Sequence, residues 1–193
     1  MGQLIVTEFM TLDGVAQAPG GPNEDRDGGF THGGWQAPVA DPEAGQVKFD
    51  QASSMDALLL GRKTYETLAA AWPLEHDDSG LAQRMNEMPK YVASTTLQEV
   101  TWNATLLTGD VALNVAQLKE EPGNGLLLIG SRTLAQFLHQ HELVDEYRLW
   151  FHPVILGSGL RLFDGLNPAV WHLFDVTSTG EGVVVATYRR KPR

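Results

Sequence analysis

Apolar and polar positions divide the chain into short, readable runs. Gln3 to Met10 is apolar and β-branched and predicts a strand, ended by a turn at Thr11-Leu12-Asp13-Gly14. From Ala16 to Glu43 the chain is rich in Gly, Pro, Asp and Asn and shows no period. So long an aperiodic stretch inside a compact domain predicts a functional loop or disorder. Phe30 and Trp35 lie within it, in "GGFTHGGW", which favours a mobile lid or binding loop. A helix is expected over Pro42–Ser54, a strand over Ala57–Leu60, and a second helix from just after Gly61 through Thr67 to Ala71. Ser79 is placed to cap a third helix, "SGLAQRMNEM", which Pro89 stops. Short strands follow at Tyr91–Ala93 and Leu106–Leu107. Val111, Val115 and Leu118 mark a helix over Val111–Glu120. After the turn "PGNG", "LLLIG" at Leu126–Gly130 reads as a buried strand, and "SRTLAQFLHQH" as a helix capped by Ser131. Then the pattern changes. Glu146–Pro153, Trp171–Ser178 and Val183–Arg190 are strands with no helix between them. Strands alternating with helices, then strands alone, predict an α/β fold with a mostly parallel sheet and an antiparallel edge. No repeat or linker interrupts residues 1–193, which are expected to form one domain.

Composition narrows the function. Of 193 residues, 42% are hydrophobic and 20% charged, ordinary for a globular protein. A net charge of −10 repels phosphate backbones and argues against nucleic-acid binding. The basic tail "RRKPR" reads as a solvated strand exit. The absence of cysteine excludes disulfides, thiolate catalysis and thiolate zinc sites. The N-terminus lacks the pattern of a signal peptide, and no apolar run is long enough for a membrane span, so a cytoplasmic protein without membrane contact is expected.

The candidate chemistry sits where strands end. In "LLLGRKTYE" a buried strand runs into Gly61, Arg62, Lys63 and Thr64 at a helix start. In open α/β sheets, ligands lie beyond the carboxyl ends of parallel strands, where helix N-termini offer free N–H groups. That combination suits a phosphate; a glycine turn with two solvated cations is the alternative. "LLLIGSRTL" repeats the design with Gly130, Ser131, Arg132 and Thr133, and "YVASTTL" gives Ser94, Thr95 and Thr96 after a third strand. Three such ends on one sheet edge would hold a dinucleotide. "GSGLRL" at Gly157–Leu162 lacks the third glycine of the Rossmann fingerprint, and no P-loop is present. His139 and His141 are two apart on a helix and cannot share a metal, so none is expected. His152 reads as core or edge packing, and Asp145 and Glu146 as a turn and strand entry.

"TLDG", "DALLLGRKTYE", "PKYVASTTL", "LLLIGSRTL" and "ELVDEYRLWFHPVILGSGLRLF" occur in that order over about residues 3–190. Together they resemble the dihydrofolate reductase-like family that includes the C-terminal reductase domain of riboflavin-pathway bifunctional enzymes. The resemblance implies a three-layer fold, with a central mixed, mostly parallel sheet, an antiparallel C-terminal edge and helices on both faces. It also implies NADPH as cofactor. Gly61, Arg62, Lys63 and Thr64 would then meet its phosphates, and Ser94, Thr95 and Thr96 the region of the 2′-phosphate. Gly130, Ser131, Arg132, Thr133 and Leu134 would wrap the pyrophosphate, and Gly14, Val15 and Ala16 would line the nicotinamide side. On the substrate side, Phe49 matches a phenylalanine of true dihydrofolate reductases. The helix carboxylate expected four positions earlier is replaced by Gly45. The nearest acids are Asp41, Glu43 and Asp50, with Asp13 of the turn as an alternative; Asp13 and Glu43 are the candidates for an otherwise unassigned proton donor, and Trp35 could shield or stack on the substrate. The expected function is an NADPH-dependent reductase of a small pterin- or pyrimidine-like heterocycle. The rival is a dinucleotide-binding protein without turnover. No zinc-deaminase signature accompanies the reductase motifs. A homodimer is expected through "ELVDEYRLWFHPVILG", whose large side chains alternate to both faces of the strand.

Overall fold

The computed structural model describes residues 1–41 and 43–190. Pro42, where the first helix was expected to begin, and the last three residues of the basic tail lie outside the described residues. The strands are β1 (Gln3–Thr11), β2 (Ala57–Gly61), β3 (Lys90–Ala93), β4 (Ala104–Leu107), β5 (Gly125–Ile129), β6 (Glu146–His152), β7 (Trp171–Ser178) and β8 (Val184–Arg190). The α-helices are α1 (Ala44–Ser53), α2 (Arg62–Ala71), α3 (Leu81–Glu87), α4 (Val111–Glu120) and α5 (Arg132–Gln140). One eight-stranded sheet has the order β4-β3-β2-β5-β1-β6-β8-β7. β2 pairs in parallel with β3 and β5, and β3 in parallel with β4. β6, β8 and β7 form the antiparallel edge. The sheet is mixed and mostly parallel, with flanking helices.

The chain forms two compact units: residues 1–6 with 45–145, and residues 7–44 with 146–193. In the first, β2 "ALLLG" is buried almost end to end between two parallel neighbours, which is why it is a continuous apolar run. Leu58, Leu60, Met85, Met88, Val92 and Leu127 centre its core. Asp110 caps α4 through its side chain, which accepts from the Leu113 N–H. α3 is capped differently from the expectation. Asp77 accepts from the backbone of Leu81 and Ala82 at 3.1 and 2.5 Å, and Ser79 stands further off at 3.3 Å from Leu81.

In the second unit the expected lid is packed. The stretch after Ala16 contains two short 3-10 turns, Asp27–Gly29 and Ala37–Val39. Val15, Ala18, Phe30 and Trp35 form a buried cluster joined by Phe9 and Leu156. The aromatics that suggested a lid are the core of their own loop. Gly159 belongs to the same packing: at φ +127°, a Cβ there would lie 2.6 Å from Val15 Cγ1 and 2.8 Å from Phe30 Cε2. The second glycine of "GSGLRL" therefore serves a close approach of chain to chain, while Gly157 has nothing within 4 Å of an added Cβ.

β6 is enclosed within the chain. It pairs with β8, and Tyr147, Leu149, Trp150 and His152 are buried within this single chain. Its two-sided apolar character thus needs no second subunit. It ends at His152, before Pro153. Glu146 opens the strand almost fully buried, held by Arg148 and Arg189 at 2.6 Å each.

Candidate cofactor site

In the first unit the parallel register aligns the strand ends. Gly61 pairs with Ala93, so β2 and β3 stop level with one another. Leu59 pairs with Leu128, and the same offset carried forward sets Gly61 level with Gly130. The Gly61 N–H donates to Ser131 Oγ at 2.9 Å, and Ser131 Oγ donates to the Ile129 carbonyl at 3.2 Å. Ser131 was expected to cap α5. It occupies the N-cap position, but its hydroxyl ties two strand ends together and makes no capping bond. Its backbone is left-handed at φ 59°, directly after Gly130 at φ 55°. That conformation costs a residue with a Cβ about 1–2 kcal/mol, and the two hydroxyl bonds hold it in place.

The N-cap residues of α2 and α5, Gly61 and Ser131, contribute no side-chain capping bond to the helices they start. Cations stand at both. Arg62 is exposed and paired with Glu66 at 3.0 Å within its own helix. Such a surface pair is weak and yields readily to a better anion. Arg132 Nη1 donates to Gln136 at 3.0 Å. Lys63 and Thr133 are exposed, and Thr64 is half-buried. After β3, Ser94 Oγ accepts from Thr96 N and Leu97 N, which folds the loop so that Thr95 and Thr96 are exposed. Leu134 lies within contact range of Gly61, 3.8 Å from a Cβ built there, and Ser131 Cβ lies 3.4 Å from it. Level strand ends, two helix N-termini without a side-chain cap, arginines and hydroxyls fit the phosphates of a dinucleotide such as NADPH.

Phe49 of α1 packs on the apolar core of the first unit, its ring 3.5 Å from where a Gly80 Cβ would stand. One residue before it, Lys48 is half-buried, and loss of water pushes its ammonium below the usual lysine range.

In the second unit the turn after β1 is tightly specified. Gly14 has φ +81°, Gly14 N donates to Thr11 O at 2.9 Å, and Val15 N to Thr11 Oγ1 at 3.0 Å. Ala16 N donates to Leu160 O. Asp13 is committed to this structure. It accepts from Thr11 Oγ1 at 2.6 Å, Leu156 N at 3.2 Å and Gly157 N at 2.8 Å. The hydroxyl bond above all holds its carboxyl below the usual carboxylate range, the opposite of what a proton donor needs. Glu43 accepts from Gly180 N at 3.1 Å, and Asp41 from Glu181 N at 3.0 Å. Both acids thus staple the β7–β8 turn. Trp35 is 5% exposed, and its indole N–H donates to Gln17 O at 2.7 Å.

Sequence reading passed over two ionisable groups. Glu8 is a buried carboxyl in β1, and Lys90 is a buried ammonium in β3. The signal for Glu8 was visible, a single acid inside the apolar run "LIVTEFM". His152, expected to pack, is buried, with Nε2 3.0 Å from Gln36 Nε2 and Nδ1 3.1 Å from Trp150 O. No described helix is long and apolar enough to cross a membrane.

Comparison with known proteins agrees with this architecture. YyaP of Bacillus subtilis (strain 168) is 28% identical over 190 residues, covering 96% of this chain and 94% of YyaP. A solved protein of Shewanella sp. PV-4, named after riboflavin biosynthesis, superposes with a TM-score of 0.73 at 23% identity, over 98% of this chain and 99% of that one. Dihydrofolate reductase of Enterococcus faecalis, in a complex with NADP(H), superposes with a TM-score of 0.62 at 15% identity, over 99% and 98%. These two share the fold. The RibD C-terminal domain family matches residues 3–185, and the chain belongs to that family.

Proposed function

We propose that the protein is an NADPH-dependent reductase that transfers hydride to a small pterin- or pyrimidine-like heterocycle, with residues 1–193 working as one domain. One observation carries the reading. The Gly61 amide is tied to Ser131 Oγ where two parallel strands end level, and two helices begin there without side-chain caps. Gly61, Arg62, Lys63 and Thr64 would receive phosphate oxygens on one side. Gly130, Ser131, Arg132, Thr133 and Leu134 would do so on the other, and Ser94, Thr95 and Thr96 would line the approach to the 2′-phosphate. In the second unit the reading gives the nicotinamide end to Gly14, Val15 and Ala16. Bound NADPH supplies the hydride; the chain supplies position and a fixed polar environment. We further infer a cytoplasmic homodimer, in line with the family resemblance.

A second reading is favoured by a specific observation: a dinucleotide-binding protein without turnover. Asp13 and Glu43 are both engaged in holding loops, and Gly45 stands where a helix carboxylate was sought. Titration with NADPH by fluorescence, followed by oxidation at 340 nm against pterins, pyrimidines, flavin precursors and quinones, separates the two. Binding with oxidation supports the reductase, binding alone supports the second reading, and no binding removes both.

A further inference from the structure

The turn "PGNG" before β5 carries chemistry that the cofactor reading leaves unused. Asn124 is exposed and is followed by Gly125, and no other asparagine of the chain precedes a glycine. In that pair the asparagine side chain and the next backbone nitrogen can close a ring, because glycine has no Cβ to hinder the approach. The Gly125 nitrogen loses its proton and bonds to Asn124 Cγ. The Cγ–Nδ2 bond breaks, and ammonia leaves with that proton. Water then opens the cyclic imide at either carbonyl, which leaves aspartate or isoaspartate in place of Asn124. No oxidant or reductant is consumed.

Packing fixes the glycines on both sides of Asn124. Gly125 has φ +106°, and an added Cβ would strike the backbone of Gln3. Gly123 has φ +143°, and an added Cβ would press on Asp56 Oδ2 and displace the carboxylate. The fold thus requires the glycine that makes Asn124 labile. It also holds the reacting nitrogen. Asp56 Oδ2 accepts from Gly125 N at 2.8 Å and from Asn124 N at 2.5 Å. The Asn124 carbonyl accepts from Gln3 N at 3.0 Å, and the Gly125 carbonyl from Asp56 N at 3.0 Å. The peptides that would have to rotate for ring closure are therefore pinned, to the start of β1 on one side and to the residue before β2 on the other. An N–H bonded to a carboxylate is also harder to deprotonate, because the nitrogen anion would face a negative charge.

We propose that Asn124 is a site of spontaneous deamidation and that Asp56 guards it, keeping the reaction slow in the folded chain and releasing it when the turn opens. The product does not fit the turn as asparagine does. An isoaspartate adds one atom to the main chain between the N–H that bonds Asp56 and the carbonyl that bonds Gln3, so the two bonds no longer align. An aspartate sets a second carboxylate beside Asp56 on a chain of charge −10. The modification therefore runs in one direction: a turn that has opened and reacted closes less well.

Peptide mass spectrometry of the full chain, incubated for weeks in mildly alkaline buffer, tests it. The free peptide Glu120–Arg132 gives the unguarded rate. In the folded wild type, Asn124 should convert roughly tenfold or more slowly than in that peptide. Asp56→Ala removes both charge-assisted bonds and should raise the folded-state rate about ten- to a hundredfold. Asp56→Asn keeps an uncharged acceptor and should fall between. Circular dichroism reports whether each variant is folded, and Asp56→Asn carries the comparison if Asp56→Ala is not. Val92→Ala separates guarding from mere loss of stability. Val92 is buried and pairs with Leu60 at the far end of β2 from Asp56, so its loss weakens the same core and leaves the guard in place. Its rate should stay within about twofold of wild type, despite the cavity. In strong denaturant every chain should react at the rate of the peptide. A folded wild type that reacts as fast as the peptide overturns the proposal. So do folded Asp56 variants no faster than wild type, or a Val92→Ala chain that accelerates as much as they do.

Discussion

Lys90 shows how a buried charge is tolerated and what it costs. Its ammonium donates to Met88 O at 2.6 Å and Asn86 O at 3.1 Å and lies 4.2 Å from the centre of the Trp102 ring. Those partners favour the charged form, but loss of water outweighs them. Together with Arg84 nearby, burial pushes the Lys90 pKa down to about 8. Below that value the folded protein carries a proton on Lys90 at a cost. Between about pH 8 and the unfolded value near 10.4, the unfolded chain binds more protons, so stability rises with pH. The gain is on the order of 3 kcal/mol. Tyr147 acts in the opposite sense above pH 10, because burial raises its phenol pKa and the unfolded chain ionises first. Urea midpoints should therefore climb from pH 8 to pH 9.5, and Lys90→Met should flatten that climb. The variant will also be less stable throughout, because two buried carbonyls lose their donor; the slope is the readout. An unchanged slope would place the titration elsewhere. Arg62 is tested by affinity. Charge-assisted bonds to a 2′-phosphate contribute roughly 1.5–3 kcal/mol. Arg62→Ala should then weaken NADPH binding about ten- to a hundredfold and leave NADH nearly unchanged, measured as paired dissociation constants. Equal loss for both would move Arg62 to the shared pyrophosphate or to the fold.

Among the elements, those with a clean local signal were legible in the sequence. α4 runs Val111–Glu120 and β7 Trp171–Ser178, both with the expected ends, and the buried runs of β2 and β5 announced themselves as continuous leucines. The order and spacing of strand-end motifs carried the fold. What local pattern could not show was which partner a polar group takes from far along the chain. Ser131 looked like a cap and instead bonds Gly61, seventy positions away. Glu43 looked like a free helix acid and holds Gly180. The loop after Ala16 looked loose because its apolar residues have no period, yet Val15, Phe30 and Trp35 meet in three dimensions. Gly159 tests that packing. Alanine there must adopt φ +127° and enter the space of Val15 and Phe30. Strain and overpacking together predict a loss of roughly 2–5 kcal/mol. At about 2–4 °C per kcal/mol for a chain of this size, Gly159→Ala should melt roughly 5–15 °C lower. Gly157→Ala should change the melting temperature less, because nothing stands within 4 Å of its added methyl. Equal shifts would mean that φ alone matters and the contacts with Val15 and Phe30 do not.

At the scale of the whole molecule, two fields oppose each other at the proposed cofactor site. A chain of charge −10 repels a polyphosphate from a distance, while Arg62, Lys63 and Arg132 attract it at the strand ends. Salt screens the two unequally. The Debye length is about 10 Å at 0.1 M salt and 3 Å at 1 M. The diffuse repulsion is largely screened by the first addition, whereas the arginine contacts act within a few ångströms and fade more slowly. Raising salt from a few millimolar should therefore first hold NADPH affinity steady or improve it slightly, then weaken it. In Arg62→Ala the local attraction is smaller, so the early improvement should be larger and the later loss shallower. Isothermal titration of both proteins over a salt series, with NADH in parallel, reads this directly. NADH has fewer charges and should give the flattest curve. A wild-type affinity that falls steeply from the lowest salt onward would mean that the local cations dominate the field at every distance and that the net charge has no influence on cofactor capture.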